Sequence, residues 1–186
     1  MRKSVINLMA IVLMTPAAWS GTLADVTMAD EIVVADTALH LNGLGVRRKL
    51  GAKIYVAGLY LERKTNSADE ALSLSGPKRF VVHYLTDRAT DERIDAAWIR
   101  GFKKNSSDIY EILEERVKTF VGSLGDMKAG DVVECTMIPG EGTTVTLNGK
   151  EIGVIEGDDF QVALLRVGLG AKPPSTALKA GLLGIR

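Results

Sequence analysis

The chain has 186 residues, of which 46% are hydrophobic and 25% charged, and its 23 lysines and arginines balance its 23 aspartates and glutamates. That composition is typical of a globular domain with a substantial core, and it lacks the basic excess of most nucleic-acid-binding proteins. The only cysteine, Cys135, cannot form an internal disulfide, and its place in a predicted strand over Val132–Ile138 favours a buried, inert thiol. We therefore expect no nucleic-acid partner and a fold held by its core alone.

Residues 1–24 have the pattern of a secretory signal peptide. Two basic residues precede an uncharged, mostly apolar run over Val5–Pro16, and small residues follow. We predict cleavage after Ser20 or Ala24, leaving a single domain over 25–186 that is exported to the periplasm. The apolar run is shorter than the about 20 residues of a membrane-spanning helix, so no stable span should remain after cleavage. An uncleaved N-terminal anchor is the alternative.

The first half of the domain is predicted to be mostly strand. Ile32–Ala35 and Ala38–Leu41 indicate two short strands or one bent strand, and the glycines and cations of Gly43–Lys49 indicate a basic turn. Ala52–Leu61 has the clearest pattern, because both of its alternating sets of side chains are apolar or aromatic. A strand buried on both faces lies in the middle of a sheet, so we expect this strand to be central.

The remaining elements follow from capping residues, turn signals and periodicity. Their order and the hairpin signal Asn148-Gly149 favour an antiparallel sheet with helices on one face, an α+β layered domain. The predicted elements are a helix from a capping box at Ser67 to about Leu74, a strand over Lys78–Leu85, helices over Thr90–Lys103 and Ser107–Leu124, strands over Asp131–Ile138, Thr143–Leu147 and Ile152–Glu156, a helix capped by Asp158, and a last helix over Ser175–Leu183.

Most familiar catalytic and metal-binding patterns are absent from the sequence. His40 and His83 lie in predicted strands without the spacing of a zinc site, and no glycine-framed serine marks a nucleophile elbow. We expect no metal and no cofactor. What remains is the cluster of Arg47, Arg48 and Lys49 beside an apolar strand. A guanidinium there can anchor an anionic head group; an ordinary solvated turn is the alternative.

Several segments of the chain resemble the chalcone isomerase superfamily. They are the glycine-rich Gly43–Arg47, the apolar Ala52–Glu62, and the later Gly149–Gly153, Asp158–Phe160 and Leu169–Thr176. The match covers most of 36–183 and is most like the bacterial, exported branch called chalcone isomerase-like. The resemblance implies an open-faced sandwich, in which a large antiparallel sheet packs against a layer of helices with a ligand cleft between them.

The resemblance also implies a site in that cleft. In the plant enzymes the cleft closes a chalcone into a flavanone, and an arginine from the glycine-rich segment steadies the oxyanion; Arg47 matches that arginine. Tyr55 stands where a threonine polarises the carbonyl, and Thr90 where a tyrosine takes part. Arg93 stands where a lysine is usual, and Ala97 where an asparagine is usual. The arginine is therefore kept, while most of its polar partners are replaced.

Oxyanion catalysis needs several preorganised donors, so we predict a non-catalytic binding protein. Other branches of the superfamily bind fatty acids, with the arginine on the carboxylate. The expected ligand is a small amphipathic molecule with an anionic head held by Arg47. One alternative is an intramolecular lyase or isomerase acting on a chalcone-like enone through Arg47 and Tyr55; another is a structural or interaction protein of the cell envelope. The remaining ligand contacts would be Tyr55, Ala57, Thr90, Arg93, Ile94, Ala97, Trp98, Ser175 and Thr176.

Overall fold

The computed structural model describes residues 20–185 and is built on two antiparallel sheets. A two-stranded hairpin, β1 (Ser20–Leu23) and β2 (Val26–Ala29), comes first. In the second sheet, seven consecutive strands follow one another in sequence order. They are β3 (Glu31–Val34), β4 (Thr37–Lys49), β5 (Ala52–Leu61), β6 (Lys78–Tyr84), β7 (Val132–Ile138), β8 (Gly142–Leu147) and β9 (Lys150–Ile155).

Five helices in the described part of the chain cover one face of the seven-stranded sheet. One lies between β5 and β6, two lie between β6 and β7, and two follow β9. The expected order of elements and the α+β layering are therefore confirmed. The helices are α1 (Ala68–Ser73), α2 (Asp91–Asn105), α3 (Tyr110–Gly122), α4 (Asp158–Leu169) and α5 (Thr176–Leu182).

Strand β5 is central and buried on both faces, as its sequence predicts. Ala57, Leu59 and Leu61 belong to the apolar core under the helices. Val56 and Tyr60 belong to a second, smaller core on the opposite face, which the β1–β2 hairpin covers. This double burial explains why the strand carries almost no charge. In β7, Cys135 is fully buried, and burial raises its pKa to about 12, so the thiol stays protonated.

The predicted basic turn at Gly43–Lys49 is wrong, because this segment is the second half of the 13-residue strand β4. Its glycines have a packing role. Helix α5 lies so near the strand that a Cβ atom on Gly43 or Gly45 would collide with backbone carbonyl oxygens of that helix. The chain turns directly after Lys49, at Leu50-Gly51, where both φ angles are positive at 50° and 83°. Arg47 is therefore a strand residue with a fixed direction.

Two predicted helix caps are also corrected. Helix α3 is preceded by Ile109 rather than by Ser107, and the N-cap of α4 is Gly157 rather than Asp158. The carboxylate of Asp158 instead accepts a hydrogen bond from the Gly140 amide at 2.9 Å, joining the start of α4 to the β7–β8 turn. The serine at the start of α1 does cap as predicted, since Ser67 Oγ accepts from the Glu70 amide at 3.3 Å.

Hairpin β1–β2 has no counterpart in the predicted elements. Its first strand falls inside the segment assigned to the signal peptide, of which residues 1–19 lie outside the described part of the chain. The β1 strand contacts β4, with Gly21 against the side chains of Leu41 and Leu44. Residues 20–23 are therefore part of the folded domain in this structure.

Candidate functional site

A cavity of about 1010 Å³ opens between the sheet and helix α2. Its floor is the helix-facing side of β4, β5 and β6, and its opposite wall includes Pro173 and Pro174, which precede α5. The wall is mostly apolar and aromatic, which suits a hydrocarbon rather than a polar substrate. The apolar side chains that line it include Phe80, Val82, Tyr84, Ile94, Trp98, Val167 and Leu178.

Small residues on α2 leave this space open. Ala96, Ala97 and Gly101 all line the cavity, at positions where larger side chains would fill it. Gly101 has a second role, because its missing side chain lets α2 approach Val167 of α4. Helix α2 thus packs closely against α4 at Gly101, while its small residues leave room for the cavity.

Three polar side chains form a row across the cavity floor. Arg47 is the direct cross-strand partner of Tyr55, and Tyr55 is the partner of Tyr84. Cross-strand partners point to the same side of a sheet, so all three side chains face the helices. The two tyrosine rings meet edge to face, with centroids 6.0 Å apart.

Both tyrosines keep their protons throughout the physiological range. Burial raises the pKa of Tyr55 to about 12, and the positive charge of Arg47 opposes only part of that rise. Burial also raises the pKa of Tyr84. The Tyr55 hydroxyl can therefore donate a hydrogen bond to an oxygen atom beside Arg47, and Tyr84 offers a second donor one strand further across the floor. A guanidinium and protonated phenols form a donor set suited to a carboxylate or another oxyanion.

Cationic side chains surround the cavity. Within the described part of the chain they outnumber the lining acids by eight to one, the acid being Glu92, and none of them takes part in a salt bridge. The excess of unpaired positive charge attracts anions and raises their local concentration. The cations are Arg47, Lys49, Lys53, Arg88, Arg93, Arg100, Lys104 and Lys172.

Six of the ten residues expected to contact a ligand line the cavity. These are Arg47, Tyr55, Arg93, Ile94, Ala97 and Trp98. The other four do not. Ala57 is fully buried in the core beneath the floor, and Thr90 is exposed as the N-cap of α2. Ser175 Oγ is occupied by capping α5, where it accepts from the Leu178 amide at 3.2 Å, and Thr176 is exposed at the start of that helix.

Sequence reasoning missed Tyr84 and most of the cationic rim. Tyr84 could have been found, because it alternates with Phe80 and Val82 along a predicted strand. Lys104 and Lys172 gave no such signal. They come from separate segments, one at the end of α2 and one before α5, which only the tertiary fold brings to the same cavity.

The described residues outside the cavity offer little other chemistry. They contain no group of three histidine, cysteine or acidic side chains placed to hold a metal ion. His40 Nδ1 lies 3.3 Å from a carboxylate oxygen of Glu31, and His83 is half-buried on the opposite face of the sheet. Of the helices in residues 20–185, none has the length and apolar character to cross a membrane.

Comparison with known proteins gives a family match and a structural match. A family model described as chalcone isomerase-like matches residues 20–184. The fold superposes on the crystal structure of an Arabidopsis thaliana fatty-acid binding protein with a TM-score of 0.66, covering 89% of this chain and 96% of that chain at 15% sequence identity. No curated protein matches. The expected sandwich of an antiparallel sheet and a helical layer is thus confirmed.

Proposed function

Because the chain belongs to the chalcone isomerase-like family, we propose that it binds, without transforming it, a small amphipathic ligand with an anionic, fatty-acid-like head group. One observation carries the proposal: an apolar cavity of about 1010 Å³ has Arg47 and two protonated tyrosines on its floor and unpaired cations around it. The structurally similar fatty-acid binding protein from Arabidopsis supports the same ligand class.

The head group is held at the Arg47–Tyr55 pair. A guanidinium presents two parallel N–H donors to a carboxylate and remains charged at every physiological pH. The Tyr55 hydroxyl lies on the neighbouring strand and adds a third donor. Since apolar walls surround these groups, their attraction to an anion is stronger than it would be in bulk water.

The hydrocarbon part of the ligand lies along the aromatic wall. Phe80, Tyr84 and Trp98 provide ring faces and edges beside the head-group site. Each buried methylene contributes about 0.8 kcal/mol of transfer free energy, so affinity should increase with chain length until the cavity is full. The volume is at the upper end of the range typical of small-molecule sites.

The polar groups needed for catalysis are sparse. Thr90, which stands where the plant enzymes have a reacting tyrosine, lies outside the cavity, and Ala97 carries no donor. An intramolecular lyase or isomerase remains the second candidate on one specific observation. Tyr55 and Tyr84 are protonated beside Arg47, so together they could polarise the carbonyl of an enone.

The decisive variant is Arg47→Ala, with Arg48→Ala as its matched control. Arg48 is the next residue of the same strand, is exposed, and does not line the cavity. Titration with a long-chain fatty acid should give about a 10- to 100-fold weaker affinity for Arg47→Ala, since a hydrogen bond to a charged group contributes about 1.5–3 kcal/mol. Arg48→Ala should bind like the wild type.

Thermal melting shows whether both variants are folded. If both are folded and bind the fatty acid with equal affinity, Arg47 is not part of the binding site. Mass spectrometry of a solvent extract from the purified protein identifies any acid bound in the cell. Conversion of a chalcone above the Arg47→Ala background would favour the isomerase instead. If the cavity binds neither fatty acids nor chalcones, the remaining candidate is a structural or interaction protein of the cell envelope.

We also infer that the protein is exported and that its signal peptide is cleaved after Ser20 rather than after Ala24. Cleavage after Ala24 would remove β1, which pairs with β2 along Ser20–Leu23 and contacts β4. Cleavage after Ser20 leaves the hairpin almost whole. Mass spectrometry of the protein from a periplasmic extract should show Gly21 as the first residue; a chain beginning at Asp25 or retaining Met1 would contradict this.

A further inference from the structure

The tip of the β4–β5 hairpin carries an apolar side chain that is almost fully exposed to solvent. Leu50 is 99% exposed, compared with 73% for the next most exposed large hydrophobic residue, Ile112. Full exposure of a leucine gains nothing for the folded chain, because its apolar surface is left in water. Leu50 also lines the edge of the ligand cavity, so the hairpin tip and the cavity mouth lie on the same side of the molecule.

The backbone at Leu50 makes the choice of residue more unusual. Leucine here has a φ of 50°, in the left-handed region that disfavours bulky side chains. The other hairpin turns with two positive φ angles use smaller or more polar residues in such positions, namely Ala24-Asp25, Ala35-Asp36 and Asn148-Gly149. The β4–β5 turn departs from this pattern, and it does so where the side chain is most exposed.

Positive charge surrounds this leucine. Arg48, Lys49 and Lys53 lie on the same hairpin, all exposed. Lys104 and Lys172 line the same cavity from the helical side. None of these five cations forms a salt bridge within residues 20–185. The surface therefore combines an exposed apolar tip with unpaired cations on its own hairpin and on the helical side of the cavity, although the chain as a whole has no net charge.

We propose that this surface docks on an anionic phospholipid bilayer, with Leu50 inserted at the level of the head groups and the surrounding lysines and arginines on lipid phosphates. Charge complementarity selects a membrane of this kind. Polybasic surfaces are attracted to anionic lipids, and long basic side chains can lie along the apolar region while their charges stay at the interface. An apolar tip adds a second anchoring signal that charge alone does not provide.

Docking in this orientation brings the cavity mouth against the bilayer. If the cavity holds a fatty-acid-like ligand, as proposed above, the ligand can then pass between bilayer and cavity with little exposure of its chain to water. That consequence rests on the proposed ligand, whereas the docking itself does not. Membrane attachment therefore needs to be measured without any added fatty acid.

The test uses the natural processed form of the protein, defined by mass spectrometry, and sucrose-loaded vesicles. Sedimentation should show binding to vesicles that contain phosphatidylglycerol and much weaker binding to pure phosphatidylcholine vesicles. Raising the salt concentration should weaken the binding, because the exposed charges are screened. Leu50→Asn should reduce vesicle affinity about tenfold, since the apolar contribution is lost. Asparagine accepts the left-handed backbone, so the turn is preserved.

Two matched controls distinguish docking through this surface from nonspecific adsorption to the vesicles. Ile112→Gln removes the second most exposed apolar side chain, on α3, and should leave vesicle affinity unchanged. Lys53→Gln should lower vesicle affinity about fivefold, whereas Lys150→Gln, an exposed lysine that does not line the cavity, should change it little. Equal binding to both lipid compositions would overturn the proposal. Loss of vesicle binding in Ile112→Gln but not in Leu50→Asn would also overturn it. So would binding to poly-glutamate that is as strong as vesicle binding and is unchanged by Leu50→Asn.

The two proposals can fail independently. If the protein binds fatty acid in solution but does not bind anionic vesicles, only the membrane-docking proposal is overturned. A protein that binds those vesicles through Leu50 but takes up no fatty acid would overturn the proposed ligand alone.

Discussion

The space between the sheet and the helices is filled at one end and open at the other. At the filled end, Phe102, Phe120 and Phe160 are fully buried, and the rings of Phe102 and Phe160 stack with centroids 5.5 Å apart. At the open end, the same helix α2 presents Ala97 and leaves a cavity of about 1010 Å³. The backbone layers are continuous across both ends. The cavity is therefore a property of side-chain volume rather than of the fold itself.

Trp98 marks the boundary between the two ends. Its indole meets Phe120 edge to face at 5.1 Å on one side and lines the cavity on the other. Charge changes at the same boundary. At the filled end, Arg116 of α3 is paired with Asp159 of α4, while the cations of the open end have no acid partner in the described chain. One end has the properties of a core, and the other has those of a binding site.

The largest expected effect comes from breaking the filled end. Phe160→Ala should lower the free energy of unfolding by about 3–5 kcal/mol, the usual result of truncating a fully buried phenylalanine. Chemical denaturation measures this directly. Ligand affinity of the molecules that remain folded should change little, since Phe160 does not line the cavity. A loss below about 1 kcal/mol would mean that the aromatic cluster relaxes and that the two ends are less distinct than they look.

Filling the open end should affect binding rather than stability. Ala97→Trp places a large ring in the cavity and should displace at least two methylenes of a long acyl chain. At about 0.8 kcal/mol for each methylene, long-chain acids should bind roughly fifteenfold more weakly, and short-chain acids should be nearly unaffected. Titration with acids of different length checks this contrast.

A matched control for Ala97→Trp is Glu111→Trp, on the exposed side of α3 and away from the cavity. It adds the same residue to a helix surface and should leave affinities for all chain lengths unchanged. If Ala97→Trp weakens short and long acids equally, the ligand does not extend along α2, and the aromatic wall is not the binding site for the chain.

The two ends also differ in how well the sequence predicts them. The filled end follows from periodicity, because apolar positions recur at helical spacing in α3 and α4 and most of them are buried. Ile112 of the α3 stripe is the exception, since it is 73% exposed. Strand β5 and the hairpin at Asn148-Gly149 were equally clear. These signals are local, and each repeats over several residues.

The open end depends on contacts that no local pattern contains. Gly43 and Gly45 indicated a turn, but they lie within strand β4, where the backbone of α5 occupies the space of their missing side chains. The cluster at Arg47 was visible beside an apolar strand, and the family resemblance then singled out Arg47 and Tyr55. The cationic rim was missed, because Lys53, Lys104 and Lys172 are brought together only by the fold. A cavity forms where side chains leave space unfilled, and the sequence pattern predicts which side chains are buried but not where space remains between them.

A substitution with a smaller expected effect tests whether Tyr55 contacts the ligand head group at the open end. Tyr55→Phe removes one hydroxyl donor next to Arg47 and leaves the ring that contacts Tyr84. Affinity for a fatty acid should fall about tenfold, the lower end of the effect of deleting a hydrogen bond to a charged group, because the cavity is open to water. In the wild type, affinity should not vary through Tyr55 between about pH 6 and pH 9, because the pKa of Tyr55 is about 12. Unchanged affinity would show that the Tyr55 hydroxyl does not contact the head group.

The smallest expected effect concerns the ion pair that closes the filled end. Arg116 Nη1 and Nη2 donate to the two carboxylate oxygens of Asp159 at 2.7 and 2.6 Å. The hydrogen bonds from Arg116 hold the pKa of Asp159 below its ordinary value. A carboxyl whose pKa is lower in the folded state stabilises the fold above its unfolded pKa of about 3.9, and this stabilisation is lost as the pH falls through the folded pKa.

Asp159→Asn should therefore destabilise the protein at about pH 7, and the loss should be smaller at about pH 3, below the unfolded pKa of the carboxyl. Because both side chains are partly exposed, with relative exposures of 27% for Arg116 and 45% for Asp159, the neutral-pH loss should stay below about 1 kcal/mol. Asp69→Asn is the control, since that exposed carboxylate forms no salt bridge within residues 20–185. Denaturation curves at the two pH values measure the difference. A loss that is equal at both would show that the pair acts through packing of α3 against α4 rather than through charge, and the electrostatic contrast between the two ends would then rest on the open end alone.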